Sequence, residues 1–134
     1  MSRLLDTNIV SLAMNADPRV MEHLAKLGTG EAAISAVTYA EIRYCLLRHR
    51  GMERKRDLLE RLLEHLDVLA WDREAATAYS EERVACERDG QVLDQADLMI
   101  LAHAASSGRI LVTRDAALQR RDRKGARRTR VEGW

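Results

Sequence analysis

The run Ile110-Leu111-Val112-Thr113 is apolar without alternation and leads straight into an arginine and an acid. A strand of this kind is covered on both faces, which calls for helices above and below a mostly parallel sheet. The same theme opens the chain, where Arg3-Leu4-Leu5 runs into Asp6-Thr7-Asn8-Ile9. It returns in Ala32-Ala33-Ile34 and Val68-Leu69-Ala70, with helical periodicity between the runs. Strands alternating with helices predict an α/β fold with a parallel sheet and right-handed crossovers.

The helices announce themselves through caps and periodicity. Asp17-Pro18 reads as an N-cap with proline at the first helical position, followed by Val20, Met21, Leu24 and Leu27 and closed by Gly28. Thr38-Tyr39-Ala40-Glu41 has the form of a capping box opening a helix with Ile42, Cys45 and Leu46 on one face. Gly51 interrupts, and Leu58, Leu59, Leu62, Leu63 and Leu66 form the core stripe of the next helix. Asp72 caps a helix that stops at Asp89-Gly90, and Asp94 caps another. Residues 96–105 are apolar on nearly every face, so this helix should be buried until Gly108 ends it.

At 134 residues the chain has the size of one domain, residues 1–134, with no linker, repeat or low-complexity segment. Phenylalanine is absent and aromatics are 4%, which leaves little for a base-stacking platform. No apolar run reaches the roughly 18 residues of a membrane span, and no targeting segment is expected, so the reading is cytoplasmic with no membrane. Cys45 and Cys86 lack metal-like spacing and are read as reduced, partly buried thiols.

The formal net charge of +1 hides two basic clusters. One holds Arg43, Arg48, Arg50, Arg54, Lys55 and Arg56. The other, near the end, holds Arg120, Arg121, Arg123, Lys124, Arg127, Arg128 and Arg130. Either alone reads equally well as a solvated surface; two in one small domain favour a polyanionic partner whose binding weakens with salt. Arg43, Arg114, Arg120, Arg121, Arg127 and Arg128 are the candidates for contact with such a nucleic-acid partner.

On a parallel sheet, strand ends and helix starts share one edge, where ligands bind. Asp6 follows the first strand, Glu41 lies early in the helix after the second, Asp97 opens the buried helix and Asp115 follows the fourth strand. Each has an ordinary local role available: Asp6 as a cap, Glu41 in the capping box, Asp97 at a helix dipole. Together they would converge on one cleft. Two carboxylates about 4 Å apart repel by roughly 4 kcal/mol at an effective dielectric of 20, so the cluster needs a cation or shared protons. Oxygen ligands without His or Cys suit hard ions, Mg²⁺ or Mn²⁺. Such an ion activates water for in-line displacement at phosphorus. An acidic metal cleft flanked by basic patches is the layout of a phosphodiesterase acting on nucleic acid.

Competing chemistries lack support: there is no Gly-rich phosphate loop, no paired His ligands, and no Ser or Cys nucleophile with an evident base. His103, six residues past Asp97, is read as a core or rim histidine. Asp94 is a cap first and an auxiliary water or metal contact second. Thr7, Asn8 and Thr113 are turn formers that could also orient a carboxylate or a water.

With these residues in place the chain resembles the PIN-domain ribonucleases, and among them the VapC toxins of bacterial toxin–antitoxin pairs. The resemblance rests on four stretches in order: Leu4-Leu5-Asp6-Thr7-Asn8, Ser35-Ala36-Val37-Thr38-Tyr39-Ala40-Glu41-Ile42, Asp97-Leu98-Met99-Ile100-Leu101-Ala102-His103-Ala104, and Gly108-Arg109-Ile110-Leu111-Val112-Thr113-Arg114-Asp115. It implies a PIN-like three-layer α/β/α domain with a central parallel sheet of four to five strands. It implies a Mg²⁺-dependent endoribonuclease (Mn²⁺ as alternative) with Asp6 and Asp97 as principal metal ligands, and Glu41 and Asp115 binding a second ion or positioning water. The position of Asp115 varies between Asp and Asn in the family, and Leu118 stands where many relatives carry Phe.

The resemblance further implies a homodimer, a VapB-type antitoxin that wraps the toxin and can push a basic side chain into the acidic cleft, and a higher assembly that binds promoter DNA through the antitoxin. The ending Arg128-Thr129-Arg130-Val131-Glu132-Gly133-Trp134 looks like relatives that cut initiator tRNA in its anticodon stem-loop, which points to tRNA as substrate and translation inhibition as the outcome. The competing readings are an RNA-processing nuclease without a toxin role, and a PIN-like module that binds RNA without cutting it.

Overall fold

The structure is a computed structural model that describes residues 2–134. Five strands form one parallel sheet: β1 (Arg3–Leu5), β2 (Ala32–Ser35), β3 (Asp67–Leu69), β4 (Ile110–Val112) and β5 (Val131–Glu132). Their order is β3-β2-β1-β4-β5. Register is fixed by short apolar pairs: Leu4 stands opposite Ala33 and Leu111, and Leu5 opposite Ile34 and Val112.

Alternate residues of each strand face opposite sides, so the sheet separates two cores. Leu5, Ile34 and Val112 face α1 (Thr7–Met14), α2 (Pro18–Ala25), α3 (Ala36–Arg48) and α4 (Glu53–Leu63). Leu4, Ala33 and Leu111 face α5 (Arg73–Arg88), α6 (Gln95–Ser107) and α7 (Ala116–Gln119). This is the expected α/β/α layering with a parallel sheet, at the upper end of the expected strand count. Leu59 and Leu66 of the leucine stripe are buried, and Leu62 and Leu63 pack against them from partly exposed positions. In α6, residues from Leu98 to Ala104 are mostly buried, and Gly108 closes the helix at φ +65°, a conformation that suits glycine. Cys86 is buried and Cys45 exposed, and neither is in a disulfide.

Three local expectations need correction. Thr38 and Glu41 do not form a capping box. Ser35 is the N-cap of α3, accepting the Val37 N–H at 3.1 Å, so the helix begins at Ala36 and Thr38 is already inside it. The third strand starts one residue earlier, at Asp67, on the sheet's exposed edge. Asp94 occupies the N-cap position of α6 but makes no capping hydrogen bond. The caps at Asp17 and Asp72 are as expected, with Asp17 accepting from Arg19 and Val20 and Asp72 from Ala75.

Candidate active site

The strand order places the site. The chain leaves β1 toward β2 and β3, then returns to lay β4 on the other side of β1. In such sheets the helices after the two central strands diverge to opposite faces and leave a crevice at the carboxyl edge. α1 packs with one core and α7 with the other, so that crevice lies beyond Leu5 and Val112. Asp6 and Asp115 flank it from the strand ends.

Asp6 is 2% exposed and doubly held. One oxygen accepts the Ile9 N–H at 2.9 Å, making Asp6 the N-cap of α1, and the other accepts the Thr113 hydroxyl. The capping role and a role in the cleft are therefore compatible. Thr113, fully buried, also accepts the Asp115 N–H at 3.0 Å, so one hydroxyl ties the two strand ends together. Asp115 caps α7, its Oδ1 accepting from Ala117 at 2.8 Å and Leu118 at 3.2 Å. Glu41 accepts the Thr7 hydroxyl at 2.5 Å, and the Thr7 and Thr38 hydroxyl oxygens lie 3.3 Å apart. Thr38 was not singled out from sequence, because its position suggested a cap.

Asp97, in the first turn of α6, differs from the others: among the described residues nothing donates a hydrogen bond to its carboxylate. Burial pushes its carboxyl up to about 6, and the charges of Asp115, Asp94, Asp6 and Glu41 add to the shift. Asp6 is raised by burial despite the Thr113 and Ile9 hydrogen bonds, with Asp115 and Glu41 contributing repulsion. The four acids thus share one electrostatic environment, with Asp94 at its rim. None of the ion pairs among the described residues involves any of the four. No three of them close on a single point among the described residues. An all-oxygen donor set, with Asp6 buried and the other three partly buried, and with no ion-pair partner among the described residues, has the donor chemistry of a hard divalent cation site. Asn8 is exposed on α1 and makes no contact with the four acids that the structure records.

The basic residues divide. Arg121 is 2% exposed and paired with Asp89 at 2.8 Å, so it is a structural residue and not an RNA contact, contrary to expectation. Arg114 is drawn away from Asp115 by Asp17, 3.1 Å distant, and by the Trp134 carbonyl at 2.6 Å. Trp134 is buried and stacks on His23. Arg127 pairs with Glu81 at 2.8 Å. Arg120 and Arg128 are exposed and Arg43 half-exposed.

A groove of about 520 Å³ runs from Thr7 and Glu41 between α1, α3 and the start of α4, over Met14, Ile42, Leu46 and Met52. No helix of the described residues is long and apolar enough to cross a membrane.

Comparison with known proteins agrees with this geometry. The PIN-domain family model matches residues 3–124. The chain is 33% identical over 131 residues to a tRNA(fMet)-specific endonuclease VapC of Shigella flexneri, covering 98% of this chain and 96% of that protein. It is 32% identical over 114 residues to ribonuclease VapC2 of Rickettsia felis, covering 82% and 84%. Among solved structures, DNA-bound VapBC from Salmonella typhimurium superposes with a TM-score of 0.87 at 27% identity, covering 100% of this chain and 98% of that one. VapBC2 of Rickettsia felis bound to a promoter DNA fragment gives 0.84 at 28%, covering 100% and 99%.

Proposed function

Because the chain belongs to the PIN-domain family as a VapC endoribonuclease toxin, a divalent-metal-dependent hydrolase, we propose a finer reading: it cuts tRNA at Asp6, Glu41, Asp97 and Asp115 with Mg²⁺ as its ion. The observation that carries this is the set of four carboxylates at the sheet's switch-point edge, one of them buried, none of them in an ion pair among the described residues. Mn²⁺ suits the same oxygens.

Asp6 and Asp97 are the principal ligands, and Glu41 and Asp115 orient water or a second ion. The bound ion lowers the pKa of water and offsets charge growing on the phosphate. The chain's own residues supply orientation. Thr113 fixes Asp6 and the backbone of Asp115 at once, and Thr7 aims Glu41. Asp97 has lone pairs that no donor among the described residues occupies. Arg43, Arg120 and Arg128 are exposed enough to meet the phosphate backbone, in a salt-dependent way.

The Shigella relative's specificity makes initiator tRNA the substrate to test first, with inhibition of translation in the cytoplasm as the consequence. The partner is a VapB-type antitoxin whose apolar segment lies in the groove over Met14, Ile42, Leu46 and Met52 and delivers a basic side chain toward Glu41. The toxin is a homodimer, and promoter DNA is reached through the antitoxin in the larger assembly.

The test is cleavage of a total tRNA pool by the purified, antitoxin-free protein with Mg²⁺, with Asp6→Asn and EDTA as controls. Discrete products lost in both controls are expected, and the cut site identifies the tRNA. A folded, Mg²⁺-supplied protein that leaves every tRNA intact overturns the tRNA reading.

A further inference from the structure

His103 and Ser35 join the two helices that carry Glu41 and Asp97. Both side chains are buried, and the His103 Nδ1 lies 2.8 Å from the Ser35 Oγ. Ser35 is the last residue of β2 and the N-cap of α3, so its oxygen already accepts the Val37 N–H. Its hydroxyl hydrogen is then the natural donor to Nδ1, which places the imidazole's own proton on Nε2. This assignment leaves no hydroxyl hydrogen in the buried site without an acceptor. Burial holds the imidazole below its ordinary range, with Asp72 opposing and Arg109 reinforcing the shift, which favours the neutral ring.

The spacing gives the bridge its consequence. Glu41 lies six residues beyond Ser35 on α3, and Asp97 six residues before His103 on α6. At the helical rise, each acid is about 9 Å along its helix axis from the bridge. The bridge is the only side-chain hydrogen bond between α6 and the strand-to-helix junction of α3 among the described residues. We infer that His103 is a positioning residue of the nuclease: through Ser35 it sets the α3 start against α6, and with it the separation of Glu41 and Asp97. The inference rests on the four-acid metal-site reading above. It assigns a role to a histidine that touches neither ion nor RNA.

The test uses the full chain free of antitoxin. Mn²⁺ affinity is measured by electron paramagnetic resonance without RNA, and kcat and KM are measured on the cleaved tRNA. His103→Leu should weaken Mn²⁺ binding and lower kcat by roughly fivefold each, less than the ~10–100-fold of a direct ligand partner, with KM for RNA within about twofold of wild type. His103→Asn, which keeps an acceptor at the δ position, should recover most of the loss. Ser35→Ala, which also removes the α3 cap, should cost at least as much as His103→Leu, and the double variant should be no worse than Ser35→Ala alone. A folded His103→Leu protein with lower Tm but unchanged Mn²⁺ affinity and kcat overturns the inference. If His103→Leu does not fold, Ser35→Ala with unchanged affinity and kcat overturns it. Wild type that binds Mn²⁺ but cuts no RNA counts against the nuclease reading alone, because the affinity series still decides the bridge.

Discussion

Asp6 and Asp97 occupy the same cleft and are held in opposite ways. Asp6 is buried, caps α1 and takes a second hydrogen bond from Thr113, so its rotamer is fixed by the fold. Asp97 is half-buried on the first turn of α6 and takes no hydrogen bond from the described residues. In the proposed metal site Asp6 is scaffold and ligand together, its geometry set by the Ile9 and Thr113 contacts and not by an ion. Asp97 is free to answer one. A site built this way has a rigid reference point and a responsive one, and the distinction can be broken residue by residue.

The largest effects should come from removing either charge. Asp6→Asn and Asp97→Asn should each lower kcat by about 10²–10³-fold, the scale of losing one preorganised electrostatic group, as read in tRNA cleavage at saturating Mg²⁺. They should part in stability. An amide at position 6 directs one NH₂ at either the Thr113 hydroxyl or the Ile9 N–H, so Asp6→Asn should also lower Tm. If both variants melt at the wild-type temperature, Asp6 is not the fixed point its contacts indicate.

A step down in size is Thr113→Val, which keeps shape and removes the hydroxyl that joins Asp6 to the Asp115 N–H. Supporting hydrogen bonds of this kind are worth ~10–100-fold in activity or metal affinity. Thr7→Val should cost less, about two- to fivefold in kcat, because Glu41 retains solvent access and loses one donor only. If Thr7→Val costs more than Thr113→Val, the helix-borne side of the site matters more than the strand-borne side.

Much of this was legible in the sequence, for reasons that can be named. The strands β1, β2 and β4 read correctly because both their faces are buried, so their apolar runs do not alternate. The common edge for the acids followed from strands being parallel. β5 had no such mark: Val131–Glu132 is two residues long, and the Leu111 and Thr113 N–H groups donate to the carbonyls of Arg130, just before it, and Glu132. Glu41 matched a local capping pattern, yet the helix starts earlier because Ser35, at the end of a buried strand, caps it by accepting the Val37 N–H. Arg121 looked like its basic neighbours, and only folding shows that it turns inward to Asp89 while Arg120 stays in solvent. Composition places a charge in a cluster and says nothing about which member folds inward.

The subtlest contrast concerns stability without metal. In the folded protein Asp97 titrates at about 6, above its ordinary 3.8. A carboxyl raised on folding stabilises the fold fully below pH 3.8, and this contribution is lost as pH rises through about 6. In EDTA, wild type should therefore lose stability between about pH 4 and 7 relative to Asp97→Asn, which has no charge to bury. At pH 7.5 Asp97→Asn should melt higher, by about 1 kcal/mol or about 3 °C once solvent screening at a half-exposed group is allowed for. At pH 3.5 the two should coincide. Added Mg²⁺ should reverse the order at pH 7.5, because the ion binds the folded wild type and stabilises it by mass action, while the variant has lost a ligand. A Tm difference that is independent of pH, or one that Mg²⁺ leaves untouched, would mean that Asp97 is an ordinary helix-start acid and that the responsive half of the site lies elsewhere.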